Sequence, residues 1–428
     1  MSRYLVKKTA LMGTIAIPPS KSQTLRAILF ASLAHGKSVI YNYLSSSDTE
    51  SMVQACRSFG AVLTLFEDRL EVEGVSGKIA FTEDVIHAGN SGIILRFCSA
   101  VGALASHPVV VTGDYSIRHQ RPMKQLLSGL SQLGVFAVSM RGDEYAPVII
   151  QGPIKPSNIL ISGEDSQPVS ALLIASAFAK GPIEITVENP GEKPWVALTL
   201  DWFTRLGISY ENHECQKYRL FGNASYQGFE YTVPGDLSSA AFPVGAALVT
   251  SSEVTLSGVD LEDLQGDKEL FEVFRRMGAC IEVDKDHKKL HVRKGGPLKG
   301  AEVDINDFID ALPILAVVAC FADGTTHIQN ASIAKQKECN RIAAIAAELK
   351  KMGADIQETE DGLMIHGSHL RGSKVHSYQD HRLAMALTIA GLGALGETEI
   401  CHTDCIAKTF PDFLQKFNQL GTKIEVFS

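Results

Sequence analysis

Along this chain, stretches with apolar residues at helical spacing give way, after a glycine, to short stretches of alternating character. In residues 23–34, Leu25, Ile28, Leu29 and Leu33 keep a helical spacing, and Ser20 or Ser22 can cap the start. After Gly60, residues 61–66 and 69–73 flank Glu67-Asp68 and predict two short strands joined by a tight turn. The same order follows Gly134, Gly278 and Gly353. Together with Gly207 and Gly421 these glycines recur every 68 to 75 residues. Five of the six follow Leu, Met or Phe and precede Ala, Val or Ile, the pattern of a helix ending at a left-handed glycine before a strand. Gly421, followed by Thr422, is the loosest copy. Six α+β units, each a small sheet backed by helices, are predicted.

A longer period overlies this one. Ser116-Ile-Arg-His-Gln-Arg121 returns 216 residues later as Ser332-Ile-Ala-Lys-Gln-Lys337. The segments starting at Asp165 and Lys193 return at Asp380 and Lys408, 215 residues on, and residues 17–22 have a looser echo at 233–238. Such self-similarity predicts two lobes of three units each. Residues 18–233 form the first lobe, and residues 1–17 with 234–428 the second. The chain then crosses twice between lobes, and Lys21-Ser22 and Asp236–Ser238 fall beside the crossings, where ligands often bind.

Composition narrows the function. The 428 residues are 45% hydrophobic and 21% charged, enough for large cores. A net charge of -8 without a long basic run excludes a general nucleic-acid or anionic-membrane binder. Any anion must be caught by local clusters. The eight cysteines are scattered without a Cys-x-x-Cys pair, which predicts free thiols in a reducing cytoplasm and no metal site. The longest apolar run, residues 311–322, is short of the ~18 residues of a membrane span, and no cleavage site follows the N-terminal apolar stretch.

The candidate chemistry is cationic. Lys21 and Ser22 sit at a helix start, where backbone N–H groups and the helix dipole favour an anion, and Arg26 shares a face with Ser22. Gly89-Asn-Ser-Gly92 is a glycine turn opening a second helix. Lys337-Glu338-Cys-Asn-Arg341 opens a third, whose Ile342, Ile345, Leu349 and Met352 form a buried stripe. Steps of three and four residues let its three charged heads converge, although a surface ion pair has the same spacing. Lys337 takes the place of Arg121 in the repeat, Arg382 that of Gln167 and Lys408 that of Lys193. Asp310 and Asp380 read singly as helix caps. Together, Lys21, Arg26, Arg121, Lys337, Arg341, Arg382 and Lys408 suit a small, highly anionic ligand held between lobes. Without it these cations repel one another, so closure on binding is expected.

These residues resemble the enolpyruvyl transferases, most closely the branch acting on shikimate 3-phosphate. The matching segments are Pro19-Ser-Lys-Ser22 with Arg26, Gly89-Asn-Ser-Gly92 with Arg96, Arg121-Pro122, Ser166-Gln167, Gly235-Asp236 with Ser238-Ser239, and Gln265-Gly-Asp267. Lys337-Glu338 with Arg341, Asp380-His-Arg382 and Lys408-Thr-Phe-Pro411 complete the set in family order. The resemblance implies a two-lobed inside-out α/β barrel with its site in the cleft, acting as a cytoplasmic monomer without metal or organic cofactor. It implies transfer of the enolpyruvyl group of phosphoenolpyruvate to an acceptor hydroxyl by addition and elimination of phosphate. Asp310 then matches the base and Glu338 the proton donor, with Lys337 sharing the proton traffic. Lys21, Gly92, Arg121, Gln167, Arg341, Arg382 and Lys408 match contacts to phosphoenolpyruvate; Lys21, Ser22, Arg26, Ser166, Asp310 and Lys337 match contacts to shikimate 3-phosphate.

Six positions depart from the family pattern: Ile93 and Phe97 replace its usual threonine and proline, Asn340 its aspartate before Arg341, and three more bear on the acceptor. Asp165 and Glu192 stand where serines facing the acceptor's phosphate are usual, and Trp195 where a tyrosine is. A carboxylate beside a phosphate is repulsive unless protonated or turned away, so an unphosphorylated acceptor and an idle anion-binding paralogue stay open as alternatives. The branch acting on UDP-N-acetylglucosamine is disfavoured, because it has Lys-Asn in place of Lys21-Ser22 and a reactive cysteine that residues 114–121 lack.

Overall fold

The computed structural model describes residues 2–427. All six recurring glycines have positive φ, from 68° to 104°, a conformation in which a Cβ crowds the backbone. Each of the first five ends a helix and releases the chain into an antiparallel hairpin; Val62–Leu65 with Arg69–Val75 is the first and Asp355–Glu358 with Leu363–His366 the fifth. After Gly421 only one strand, Glu425–Phe427, remains. Its hairpin partner is Arg3–Lys7, from the other end of the chain.

Six four-stranded sheets result, all of one pattern: one parallel pair followed by two antiparallel pairings. In one, Asn158–Ser162 runs parallel to Ile183–Glu188, which pairs antiparallel with Lys217–Leu220 and through it with Tyr210–His213. The chain divides into two compact units, Ser20–Val233 and Met1–Pro19 with Pro234–Ser428. Each holds three of the sheets. Met12–Ala16 supplies the parallel edge strand of one sheet by pairing with Glu253–Ser257, and Glu230–Thr232 does the same for another by pairing with His35–Tyr41. The echo of residues 17–22 at 233–238 thus follows one equivalent edge strand in each unit, just before the chain leaves it.

Helices of two kinds cover these sheets. Glu269–Arg276 is amphipathic, burying Leu270, Phe271, Val273 and Phe274 and exposing its charges. Gly92–Gly102, Leu312–Cys320 and His381–Gly393 are buried at every residue. A helix that is apolar all round can only be central. In the unit Pro234–Ser428, Leu237–Val249, Leu312–Cys320 and His381–Gly393 pack on one another. Their N-termini are where the unusual polar residues sit. Among the described residues no helix is long and apolar enough to cross a membrane, and no group of His, Cys, Asp or Glu is arranged to hold a metal.

Candidate active site

Within Ser20–Val233, the helix Lys21–Leu33 starts from Ser20, whose hydroxyl accepts from the Gln23 amide. Lys21 and Ser22 are therefore its first two residues, and the Lys21 ammonium lies 3.5 Å from the buried Asp48 carboxylate. Arg26, one turn on, donates to the Thr199 hydroxyl at 3.1 Å, the Trp195 carbonyl at 3.0 Å and the Ser22 carbonyl at 3.2 Å. Burial pushes its guanidinium down to about 9, so it is still a cation at neutral pH.

Gly92, the first residue of the helix Gly92–Gly102, marks where three side chains meet. A Cβ placed there would lie 2.9 Å from Arg96 Nη1, 3.0 Å from Gln167 Oε1 and 3.3 Å from Arg121 Nη1. Arg96 is 1% exposed; it donates to Gln167 Oε1 and to the Pro122 carbonyl, both at 3.0 Å, and lies 3.2 Å from Asp165 Oδ2. Burial lowers its proton affinity, and Asp165 works in the opposite sense.

The two unexpected carboxylates are both held by this unit. Asp165 caps the helix Ser166–Phe178 by accepting from the Gln167 amide at 3.0 Å. Glu192 accepts from both the amide and the hydroxyl of Ser166, each at 3.0 Å. Its backbone is left-handed, φ 45°, ψ 39°, which costs a non-glycine residue on the order of 1 to 2 kcal/mol. A negative group at a helix start is favoured by the dipole, and this offsets part of that cost. Trp195 follows in the first turn of Lys193–Arg205, its side chain buried and its carbonyl occupied by Arg26.

In the other unit, Arg341 is the hub. Its guanidinium is 1% exposed and meets three carboxylates: Asp380 at 2.7 Å, Asp310 at 2.7 Å and Glu338 at 2.6 Å. The second oxygen of Asp310 accepts from Arg382 at 2.8 Å, and that of Glu338 from Lys408 at 3.0 Å. Three cations thus face three carboxylates. Burial alone would raise the Asp310 carboxyl, but Arg382, Arg341 and Lys337 outweigh it and hold the group well below the usual carboxylate range. His381 Nδ1 stands 4.0 Å from both Glu338 and Asp380.

Three expectations need correction. The helix expected to open at Lys337 starts at Arg341 with Asn340 as its cap, so Lys337 and Glu338 lie in the preceding turn. Glu338 still reaches Arg341, because the turn folds back on the helix start. The cations expected to repel one another are already paired with carboxylates in Pro234–Ser428. Asp310 is no simple cap: it sits in the 3₁₀ segment Asn306–Ala311 and makes no cap hydrogen bond. Asp380 is both, capping His381–Gly393 through the Arg382 amide at 2.8 Å while pairing with Arg341. Arg96, Asp380 and Asp267 lie in the segments that match the family, but the sequence assigned none of them a role in the site. A lone arginine within the apolar Gly92–Gly102 was the signal for the first.

A family model described as EPSP synthase (3-phosphoshikimate 1-carboxyvinyltransferase) matches residues 5–417. The chain belongs to the EPSP synthase family. Curated relatives named 3-phosphoshikimate 1-carboxyvinyltransferase match over nearly the full length. That of Chlamydia muridarum is 44% identical over 415 residues, covering 96% of this chain and 93% of the relative. That of Chlamydia abortus is 42% identical over 99% of this chain and 95% of its own length. The solved EPSP synthase of Acinetobacter baumannii superposes over the whole of both chains with a TM-score of 0.84 at 27% identity. The enolpyruvyl transferase NikO of Streptomyces tendae shares the fold, with a TM-score of 0.80 at 17% identity, over 100% of this chain and 99% of its own. The mixed α/β fold and the family expected from the residues are both found.

Proposed function

We propose that the chain transfers the enolpyruvyl group of phosphoenolpyruvate to the 5-hydroxyl of shikimate 3-phosphate and releases phosphate, as a cytoplasmic monomer. The observation that carries this reading is the balanced cluster of Arg341, Arg382 and Lys408 with Asp310, Glu338 and Asp380. Such cations suit the carboxylate and phosphate of phosphoenolpyruvate, and the carboxylates between them suit proton transfer.

Addition forms a bond from the acceptor oxygen to the substituted carbon of the double bond, while the methylene carbon gains a proton. Asp310 takes the hydroxyl proton, Glu338 supplies the methylene proton, and Lys337 shares that traffic. Elimination returns a proton from the methyl group and expels phosphate. Neither carboxylate can act while cations occupy both its oxygens. Substrate anions that draw Arg341, Arg382 and Lys408 to themselves release Asp310 and Glu338 for catalysis. From the unit Ser20–Val233 the donor's anion draws on Lys21, the Gly92 turn, Arg121 and Gln167, and the acceptor on Lys21, Ser22, Arg26 and Ser166. Lys337 also serves the acceptor.

An unphosphorylated alcohol as acceptor is favoured by one observation: the Glu192 carboxylate already holds the amide and hydroxyl of Ser166. Phosphate release from phosphoenolpyruvate, followed with shikimate 3-phosphate and separately with shikimate, decides between them. Turnover is expected with the phosphorylated acceptor. Turnover with shikimate alone would replace the first reading by the second, and none with either would leave an anion-binding protein.

A further inference from the structure

One buried acid is not used by the proposed mechanism. Asp267 is 0% exposed, in the short turn Gly266–Lys268. The turn is fixed by Gln265, whose side chain accepts from the Leu237 amide at 3.0 Å and donates to the Gly235 carbonyl at 2.9 Å. The Ser238 hydroxyl donates to Asp267 Oδ2. Oδ1 has no hydrogen-bond partner among the described residues. The charged groups that act on this carboxyl are Arg382 at the start of His381–Gly393, Asp310 in Asn306–Ala311, and Asp236 capping Leu237–Val249.

Resting on the proposed enolpyruvyl transfer, we infer that Asp267 is a positioning residue: its charge state decides whether Arg382 is available to the substrate anion or held back by the protein's own carboxylates. A buried carboxylate with one hydroxyl donor and one bare oxygen is poorly solvated, so the ionised form depends on a cation. The cation within its field, Arg382, is already bonded to Asp310. Burial, helped by Asp310 and Asp236 and opposed by Arg382 and Ser238, pushes the Asp267 carboxyl up to about 7. In its neutral form it leaves Arg382 to Asp310 and to substrate. Once ionised, it adds a third anion competing for that guanidinium, and a bound substrate anion in turn raises its affinity for a proton.

The test is the pH dependence of KM for phosphoenolpyruvate, with native protein and Asp267→Asn, read separately from kcat. Native protein should show KM rising between pH 6 and 8 by on the order of tenfold, the factor of one unit of coupling. Asp267→Asn, neutral throughout, should lack that rise and keep only the titration of the substrate's own phosphate. A residue that is merely structural would lower stability without removing the inflection. Infrared spectroscopy of the native protein keeps the inference testable if the variant does not fold: a buried carboxylic-acid band should be present at pH 5.5 and lost by pH 8.5. An unchanged KM profile in the variant, or no such band in native protein, would overturn the inference. Absence of any turnover by native protein would instead overturn the proposed function, and the infrared band would still report on Asp267.

Discussion

At the scale of single residues, buried charge tells most about what this chain does. Gly92 is the simplest case: any side chain there meets Arg96, Gln167 and Arg121 within 3.3 Å. Gly92→Ala should fold, because the neighbours are ends of side chains, but should raise KM for phosphoenolpyruvate by on the order of tenfold or more, as a small displacement of cationic groups costs binding energy. Steady-state kinetics with varied phosphoenolpyruvate checks this, and an unchanged KM would detach the Gly92 turn from the donor. Asp267 also makes a statement about stability. Its folded-state affinity for protons is raised above that of the unfolded chain, so its stabilising contribution is full below about pH 4 and is lost as pH rises through about 7. Urea titrations at pH 5.5 and 8 should show native protein losing more stability over that span than Asp267→Asn; equal losses would contradict it. Asp310 has the opposite sign, contributing above the ordinary carboxylate range and losing that contribution as pH falls. Much of this was hidden in the sequence. Arg341 stood out through its spacing from Lys337 and Glu338, and Asp380 through the repeat, but no spacing rule brings Asp267 to Ser238, because their contact depends on a turn fixed by Gln265.

At the scale of elements, the sequence was far more legible. Helix, glycine, strand, turn, strand could be read after four of the six glycines because each step has a local cause: apolar spacing, a left-handed glycine, then a two-strand pattern. What could not be read was where a strand would find its partner. Nothing local says that Arg3–Lys7 completes the hairpin of Glu425–Phe427, or that Glu230–Thr232 lies beside His35–Tyr41. Such pairings are set by the packing of distant chain segments. The glycines also differ in what they demand. At Gly207, φ 68°, an added Cβ would meet nothing within 4 Å, whereas at Gly222, φ 76°, it would run into the carbonyl oxygens of Gly181 and Ala179. Gly207→Ala should therefore cost only the backbone strain, on the order of 1 kcal/mol, and Gly222→Ala distinctly more. Denaturant midpoints at constant slope measure the difference, and equal costs would show that conformation, not space, is what both positions require.

At the scale of the whole molecule, two similar units differ mainly where their charges sit. In Ser20–Val233, Arg96 joins Asp165 and Gln167 beside Gly92. In Pro234–Ser428, Arg341 joins Asp310, Glu338 and Asp380. The corresponding positions Gln167 and Arg382, or Arg121 and Lys337, carry different groups on the same scaffold. On the proposed function, one copy of the repeat serves binding and the other serves binding and proton transfer. That division requires the carboxylates of Pro234–Ser428 to move protons on and off the methylene carbon of the donor. The direct measurement is deuterium entry into that carbon during turnover in heavy water, with native protein, Asp310→Asn and Glu338→Gln. Native protein should form product carrying solvent deuterium in its vinyl group. Both variants should stay folded and lose turnover and exchange together by roughly a hundredfold or more, the scale of a lost general acid or base. Product formed without deuterium, or exchange undiminished in Glu338→Gln, would contradict it.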